Sequence, residues 1–416
     1  MKKKTWMALV SVMISVSLLV GCGSQTTGNA DTQAPGTQAA DSSAAGAGGE
    51  QKEQEKPETA DSSSDKILIG VSASITGSAP TNGLRTQQGA QMAVDEINEA
   101  GGILGRQVEL YVADDGGTQD TGINATNLIA SQGVVAQVGP TLSGLALAVE
   151  EIVANAEYPM LVGATSPKLV TTIDNQWLFR VRASDVIQAK LAAVYATENL
   201  NCKKIGLFTN SNDYGSGART IAEEYLTEKG IEFVSESHNT GDTDMTSQVL
   251  KLKDAGVDCV IVWTDDAETA LAARQFYDLG LDVPVIGSTS ISTPQVNGLC
   301  QPEWLDNWYS CTDFTTSNDS ELIQNFVKDF QEEYGEDPEL YAVTYYSAIY
   351  LLKDAMERAG STDSTQIRDA LAQTESLEAP IGTYRANDKR EMIHGGTICK
   401  MADGKAEYLE YVLVDD

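Results

Sequence analysis

Short apolar segments alternate with amphipathic ones in two successive blocks, and this rhythm constrains the fold more than any other feature of the chain. Lys66 to Ala73 has the Ile and Val content of a buried strand. From Thr86 to Ala100, the residues Ala90, Ala93, Val94, Ile97 and Ala100 recur at helical spacing, so one apolar stripe faces a sheet. Gly101 and Gly102 end that helix, because glycine accepts the left-handed cap conformation. Strands are predicted at Val108–Ala113, Val134–Val138 and Met160–Val162, with helices over Asp120–Gln132 and from Ser143 between them. The rhythm restarts after Ser184, with a helix to Asn199 and strands at Lys204–Thr209, Ile231–Ser237, Cys259–Trp263 and Val283–Gly287. Helices over Gly217–Lys229, Met245–Ala255 and Ala267–Leu279 separate those strands. Strands joined by helices of ten to fifteen residues form parallel sheets covered on both faces. The expected fold is therefore α/β, with two doubly wound parallel-sheet lobes. Helices at Glu321–Tyr334 and Tyr341–Ala359, and short strands from Thr383 onward, are shared between them.

The first sixty-five residues have a different character. Lys2, Lys3 and Lys4 precede an apolar run from Trp6 to Val20 that ends in Leu19-Val20-Gly21-Cys22. A charged start, a short apolar segment and small residues at the cut describe an export signal over residues 1–22. The tetrad resembles a bacterial lipobox, which implies lipidation of Cys22. Residues 23–65 contain no Val, Ile, Leu, Met, Phe, Tyr or Trp. They are expected to form an acidic, disordered tether of Ser, Ala and Gly, since too little apolar surface is present to offset the entropy of ordering. The body is thus expected to work outside the cytoplasm, anchored to the outer face of the bacterial cell membrane. A net charge of −32 repels nucleic acid phosphates. With two histidines and no paired CxxC spacing, no metal site is indicated. Five cysteines remain beyond Cys22, and Cys300 with Cys311 is a candidate disulfide in an oxidising exterior, while Cys259 reads as a core residue.

Ligands of open parallel sheets bind at the carboxyl ends of strands, so the loops there carry the functional reading. After the first strand comes a polar loop, Ser72 to Arg85, that includes Asn82. Ser143 in Gly139–Gly144 is either a helix cap or, with the Gly144 amide, part of an anion site. Gly163, Ala164 and Thr165 are small enough to let a ligand touch backbone. Tyr214, among polar turn residues, reads as an exposed aromatic lid. Asp265 and Asp266 either hold an ammonium group or cap the following helix, a role that suits Asp266 better. No nucleophile elbow, zinc-protease motif, Walker loop or dinucleotide fingerprint is present, and His238 and His394 read as structural.

At these loops the chain resembles the solute-binding proteins of ABC importers for branched-chain and related amino acids. The resemblance covers residues 66–416. It rests on Ile75-Thr76-Gly77, the run Gly89 to Asn98, the run Gly101 to Arg106, Asp114-Asp115, Val138 to Pro140 with Ser143, Ala164 to Pro167, and Asp213 to Gly215. It implies two lobes joined by three crossovers, with residues 66–183 and 315–384 in one and 184–314 and 385–416 in the other. It implies a small solute captured between them and passed to permease subunits by a monomer that needs no cofactor. Hinges are expected near Arg182-Ala183, Asp313–Thr315 and Gly382–Arg385, with Trp263 beside the cleft. Position by position, the carboxylate-binding serine of the family falls at Ser143 and its carboxylate loop at Gly163, Ala164 and Thr165. Its second-lobe tyrosine falls at Tyr214, with further contacts at Asn82, Asp265 and Tyr341. Where the family places an acidic ammonium partner, this chain has Thr289. Either Asp265 supplies that charge for an amino acid, or the ligand is an amide, urea or small aromatic carboxylate. A ligand sensor for a membrane receptor is the rival role.

Overall fold

The computed structural model describes residues 66–171 and 175–414. Cys22 and the segment 23–65 lie outside the described residues. The first sheet gathers β1 (Ile67–Ala73), β2 (Val108–Asp114), β3 (Ala136–Val138), β4 (Met160–Val162) and β5 (Leu178–Arg180). They stand in the spatial order β2-β1-β3-β4-β5, every pair parallel. The helices between these strands are α1 (Pro80–Glu99), α2 (Gln119–Ser131), α3 (Ser143–Ala156) and the short α4 (Lys168–Thr171).

The second sheet begins after α5 (Asp185–Val194), whose last turn widens into a π-helix over Tyr195–Asn199. Next come β6 (Lys204–Asn210), α6 (Asp213–Lys229), β7 (Glu232–His238), α7 (Thr246–Ala255), β8 (Cys259–Trp263), α8 (Asp266–Leu279), β9 (Val285–Gly287), α9 (Pro294–Leu299) and β10 (Trp308–Thr312). The chain then adds α10 (Glu321–Tyr334), α11 (Leu340–Ala359), α12 (Ser364–Ala372), a hairpin of β11 (Leu377–Ala379) and β12 (Gly382–Tyr384), and finally β13 (Gly395–Ala402) and β14 (Lys405–Leu413). The second sheet has the order β14-β13-β10-β9-β8-β6-β7. The five strands from β10 to β7 are parallel, and β13 and β14 close the other edge antiparallel.

Strand alternation sorts the side chains into separate cores. Ile67, Ile69 and Val71 of β1 face a core shared with α1, α10, α11 and α12, while Leu68 faces α2 and α3. The late helices thus pack on the first sheet. Gly89 lets α1 lie directly on α11, since a Cβ there would meet the Ala342 carbonyl oxygen at 2.0 Å. In the second sheet Ile205, Leu207, Cys259, Ile261 and Cys311 face α5 and α6. Phe208, Val260, Val262, Val285 and Cys300 belong to the core on the opposite face. This sorting overturns the candidate Cys300–Cys311 disulfide: the two thiols serve different faces, and all five described cysteines are free and buried.

The chain passes between the sheets three times, after β5, after β10 and after β12. The Asp313 carboxylate knits the first two passages together, accepting from Arg182 Nε at 2.7 Å, the Ala183 amide at 3.0 Å and Gln188 Nε2. The third runs alongside, with backbone bonds from Arg180 to Arg390 and from Met392 to Arg180. Compared with the sequence reading, α1 starts at Pro80 instead of Thr86 and α6 at Asp213 instead of Gly217. Strands β5 and β10 were not distinguished in the sequence. No described helix is long and apolar enough to cross a membrane.

Candidate functional site

The loop after β4 is small, buried and heavily braced. Gly163 N donates to Tyr345 Oη at 3.2 Å, and that hydroxyl also meets Thr141 Oγ1 at 2.8 Å. Arg180 reaches the Ala164 and Ser166 carbonyls at 3.0 and 2.8 Å, and Arg182 reaches the Gly163 carbonyl at 3.3 Å. Two buried guanidiniums therefore set the loop's peptide planes and place positive charge behind them. Ser143 does not cap its own helix: the N-cap position is Leu142, and Ser143 Oγ accepts from the Ser166 amide at 3.2 Å. The hydroxyl therefore belongs to the same small loop.

From the second sheet, Asn212 caps α6 by accepting from the Gly215 amide at 2.9 Å, which places Tyr214 in the first helical turn. Tyr214 is half-buried and tilts against Trp263 with ring centroids 6.2 Å apart, so it is not the freely exposed lid expected from its turn-like context. Asp265, not Asp266, holds the N-cap position of α8, yet its side chain makes no cap bond. Its Oδ2 instead accepts from Asn210 and Asn212 Nδ2 at 3.0 and 2.9 Å. Burial and the charge of Glu268 push the Asp265 carboxyl up to about 6, against the pull of the two amides. Asp266 is raised to about 7, chiefly by burial, although the Ser290 and Thr293 hydroxyls favour its charge.

Thr289 is occupied: its hydroxyl bonds that of Thr312. Asn82 lies in the first turn of α1, not in a loop, where its carbonyl accepts from Thr86. Tyr341 lies in the first turn of α11, with the Arg182 guanidinium 5.7 Å from its ring centroid; burial above all, and then the charges of Asp266 and Asp265, raise its phenol.

The residue that sequence reasoning missed is Asp185, the first residue of α5. It is 0 % exposed, and neither carboxylate oxygen has a hydrogen bond of ordinary geometry. Burial raises it to about 7, and Thr165, Arg180, Arg182 and Trp263 only partly offset this. Ser288 Oγ and Trp263 Nε1 are likewise buried without a hydrogen bond of ordinary geometry, Ser288 acting on Tyr214 and Trp263 on Asp185. The available signal was slight, an acid between Ser184 and the apolar pair Val186-Ile187 directly after the first crossover. Tyr214 ties this group to the rest, since its phenol is held protonated by burial and lies in the fields of Asp185 and Asp265. Both sheets thus direct polar groups into one cleft. Its rims meet through Lys168 Nζ and Asp213 at 2.6 Å, and through Gln295 Nε2 and Glu339 at 2.6 Å. Glu339 is held in turn by Arg85 Nε at 2.8 Å. His238 bonds Thr264 and the Asn239 carbonyl, and His394 bonds the Arg385 carbonyl, so both serve packing. Among the described residues no group of three or more His, Cys, Asp or Glu side chains is placed to hold a metal ion.

Two α/β lobes whose strand-end loops meet over a polar cleft, bridged by three passages of the chain, define a two-lobed binder of small solutes. The chain belongs to the periplasmic binding protein family, whose model matches residues 66–406. It is 31% identical over 352 residues to the Leu/Ile/Val-binding protein homolog 3 of Brucella melitensis biotype 1, covering 83% of this chain and 94% of the relative. It is also 31% identical over 321 residues to the Leu/Ile/Val-binding protein BraC3 of Rhizobium johnstonii, covering 76% and 86%. Among solved structures it is similar to the branched-chain amino acid transporter substrate binding protein LivJ of Streptococcus pneumoniae in complex with isoleucine. That match has a TM-score of 0.77 and 28% identity, and it covers 84% of this chain and all of the other.

Proposed function

We propose that this protein is the extracytoplasmic substrate-binding component of an ABC importer, lipid-anchored through Cys22, and that it captures a small amino acid and hands it to a membrane permease. The observation that carries this reading is the juxtaposition of the braced loop 163–165 with the buried, only partly satisfied Asp185 carboxyl, whose amide donates to the Thr165 carbonyl. One presents an amide and hydroxyls backed by two guanidiniums, and the other presents a buried carboxyl that its neighbours satisfy only in part. Together they complement an α-amino carboxylate. The carboxylate meets the hydroxyls of Ser143 and Thr165 and the amide of Ala164. The ammonium meets Asp185 and, across Tyr214, Asp265, which replaces the acid absent at Thr289. Each bond is charge-assisted and gains strength as the cleft closes and dries.

The lobes work by grip alone: closure about Arg182-Ala183, Asp313–Thr315 and Gly382–Arg385 traps the solute, and the permease recognises the closed form. No covalent step is needed. Residues 66–183 with 315–384, and 184–314 with 385–416, act as the two bodies, and the protein acts as a monomer. The Thr289–Thr312 bond favours one second reading, in which the ligand lacks an ammonium group and is an amide, urea or small aromatic carboxylate. Calorimetric titration of the wild-type protein and Asp265→Asn separates the two. Loss of amino acid affinity in the variant supports the ammonium role, whereas unchanged affinity removes it.

A further inference from the structure

An acid at the head of a helix ordinarily bonds the amides of its own first turn. Asp265 stands at the head of α8, yet its side chain makes no such bond. Two asparagines, one ending β6 and one capping α6, hold it away. Asn210 Nδ2 donates to Asp265 Oδ2 at 3.0 Å, and Asn212 Nδ2 donates to the same oxygen at 2.9 Å. Neither side-chain amide can turn over. Asn210 Oδ1 accepts from the Asn212 backbone amide and from Thr240 Oγ1, each at 3.1 Å, and Asn210 is 0 % exposed. Asn212 Oδ1 accepts from the Gly215 backbone amide at 2.9 Å. A backbone N–H only donates, so each asparagine must keep its oxygen there and its nitrogen toward Asp265. Gly215 keeps the turn tight, since a Cβ there would meet the Asn210 carbonyl oxygen at 2.2 Å. Asp265 Oδ2 is thereby fixed as an acceptor and carries no proton. Among the described residues no hydrogen bond or ion pair reaches the other oxygen, Oδ1, and the side chain is half-buried.

We infer that Asn210 and Asn212 are positioning residues, which hold Asp265 with Oδ1 offered to the solute and so select an ammonium over an acid that lacks one. This rests on the reading that the cleft binds an α-amino carboxylate and that Asp265 meets its ammonium. Two donors on Oδ2 favour the ionised carboxylate and forbid its rotation toward the α8 amides. The one oxygen left over then needs a donor from the solute. An ammonium supplies that donor together with the opposite charge. A carboxylic acid without an ammonium brings neither, and its own charge is repelled.

The test uses Asn210→Ser and Asn212→Ser, singly and together. A serine hydroxyl still accepts the local backbone amide, as turn and cap, but it is too short to reach Asp265. Leucine, valine and alanine are titrated calorimetrically, each against the acid lacking its ammonium: isocaproate, isovalerate and propionate. The wild-type protein is expected to prefer the amino acid by about 30-fold. Each serine variant should cut that ratio about fivefold, with affinity for the plain acid unchanged to within about twofold. A merely structural role would weaken both ligands together and leave the ratio where it was. In an Asp265→Asn background, adding Asn212→Ser should no longer change the ratio. Circular dichroism checks folding, and the half-buried Asn212 keeps the test standing should the Asn210 variant misfold. A ratio unaltered by Asn212→Ser, or an equal loss in the Asp265→Asn background, overturns the inference and leaves amino acid capture intact. Failure of all three amino acids to bind the wild-type protein overturns the underlying reading as well.

Discussion

Replacing Asp185 with Asn is expected to make the unliganded protein more stable while destroying its affinity. The carboxyl is 0 % exposed and titrates near 7 in the fold, against an ordinary value of 3.8. The folded state therefore holds a proton that the unfolded chain releases, and the cost of ionising Asp185 is complete above pH 7 and absent below about pH 4. A gap of about three pH units corresponds to about 4 kcal/mol at pH 8. An amide in the same place leaves some of its own polar atoms unpaired, which costs about 1–3 kcal/mol. The net gain is about 2 kcal/mol. With an unfolding entropy of about 2.1 cal/mol/K per residue, that raises the melting temperature of a body of about 350 residues by about 3 °C. At pH 5 the wild-type carboxyl is largely protonated and the gain disappears. Differential scanning calorimetry at pH 8 and pH 5, paired with titration by the tightest-binding amino acid, measures both effects. Affinity is expected to fall at least about 100-fold, the loss of a buried ammonium partner. A variant that melts lower at pH 8 and binds as well as the parent refutes the assignment of Asp185 as a charge held ready for a cation.

Other expectations follow from single contacts. Arg182→Met leaves the buried Asp313 carboxylate without its counter-charge, held only by the Ala183 amide and Gln188, and is expected to cost about 3–5 kcal/mol in denaturant unfolding; a loss under about 1 kcal/mol would show the crossovers to be held elsewhere. Gly163→Ala brings a Cβ to 2.8 Å from Tyr345 Oη and is expected to weaken binding about tenfold, a change of about 1.4 kcal/mol. Tyr345→Phe removes the colliding atom and should restore part of that loss. Thiol titration of protein unfolded without reductant should find Cys202, Cys259, Cys300, Cys311 and Cys399 all reactive; a lower count would restore a disulfide. Ligand affinity should decline as pH falls through the range near 7 to 6 where Asp185, Asp266 and Asp265 take up protons. A flat profile from pH 8 to pH 5 would mean that these carboxylates do not face the ligand.

Most of the fold could be read from local pattern because the central strands β1, β6 and β8 are nearly continuous buried runs. β8 (Cys259–Trp263) is buried at all five positions, and its limits agree with the sequence reading. The helix starts were harder. Pro80 to Arg85 has no apolar stripe, and α1 begins there because Pro80 suits a first helical turn. β5 is three residues ending in a buried arginine, and β10 mixes Trp, Tyr, Ser, Cys and Thr, so both owe their existence to neighbouring strands. Of the candidate site, the loops at Gly163 and Tyr214 were visible as polar or small residues at strand ends. Asp185 was not, because its importance arises only when β5 pairs with β4 and α5 brings the acid beneath Thr165 and Trp263. The Cys300–Cys311 candidate failed for a related reason. Eleven residues of separation do not reveal that the two side chains serve opposite faces of one sheet.

The most direct test is a calorimetric titration of the purified protein with one amino acid set against its own amide and its own des-amino acid, followed by chemical analysis of the recovered solute. One-to-one, saturable binding of the intact zwitterion is expected, with steep losses when either the carboxylate or the ammonium is removed, and with the solute returned unchanged. Equal binding of the des-amino compound, or recovery of an altered solute, would contradict a cleft built to hold both charges and do nothing more.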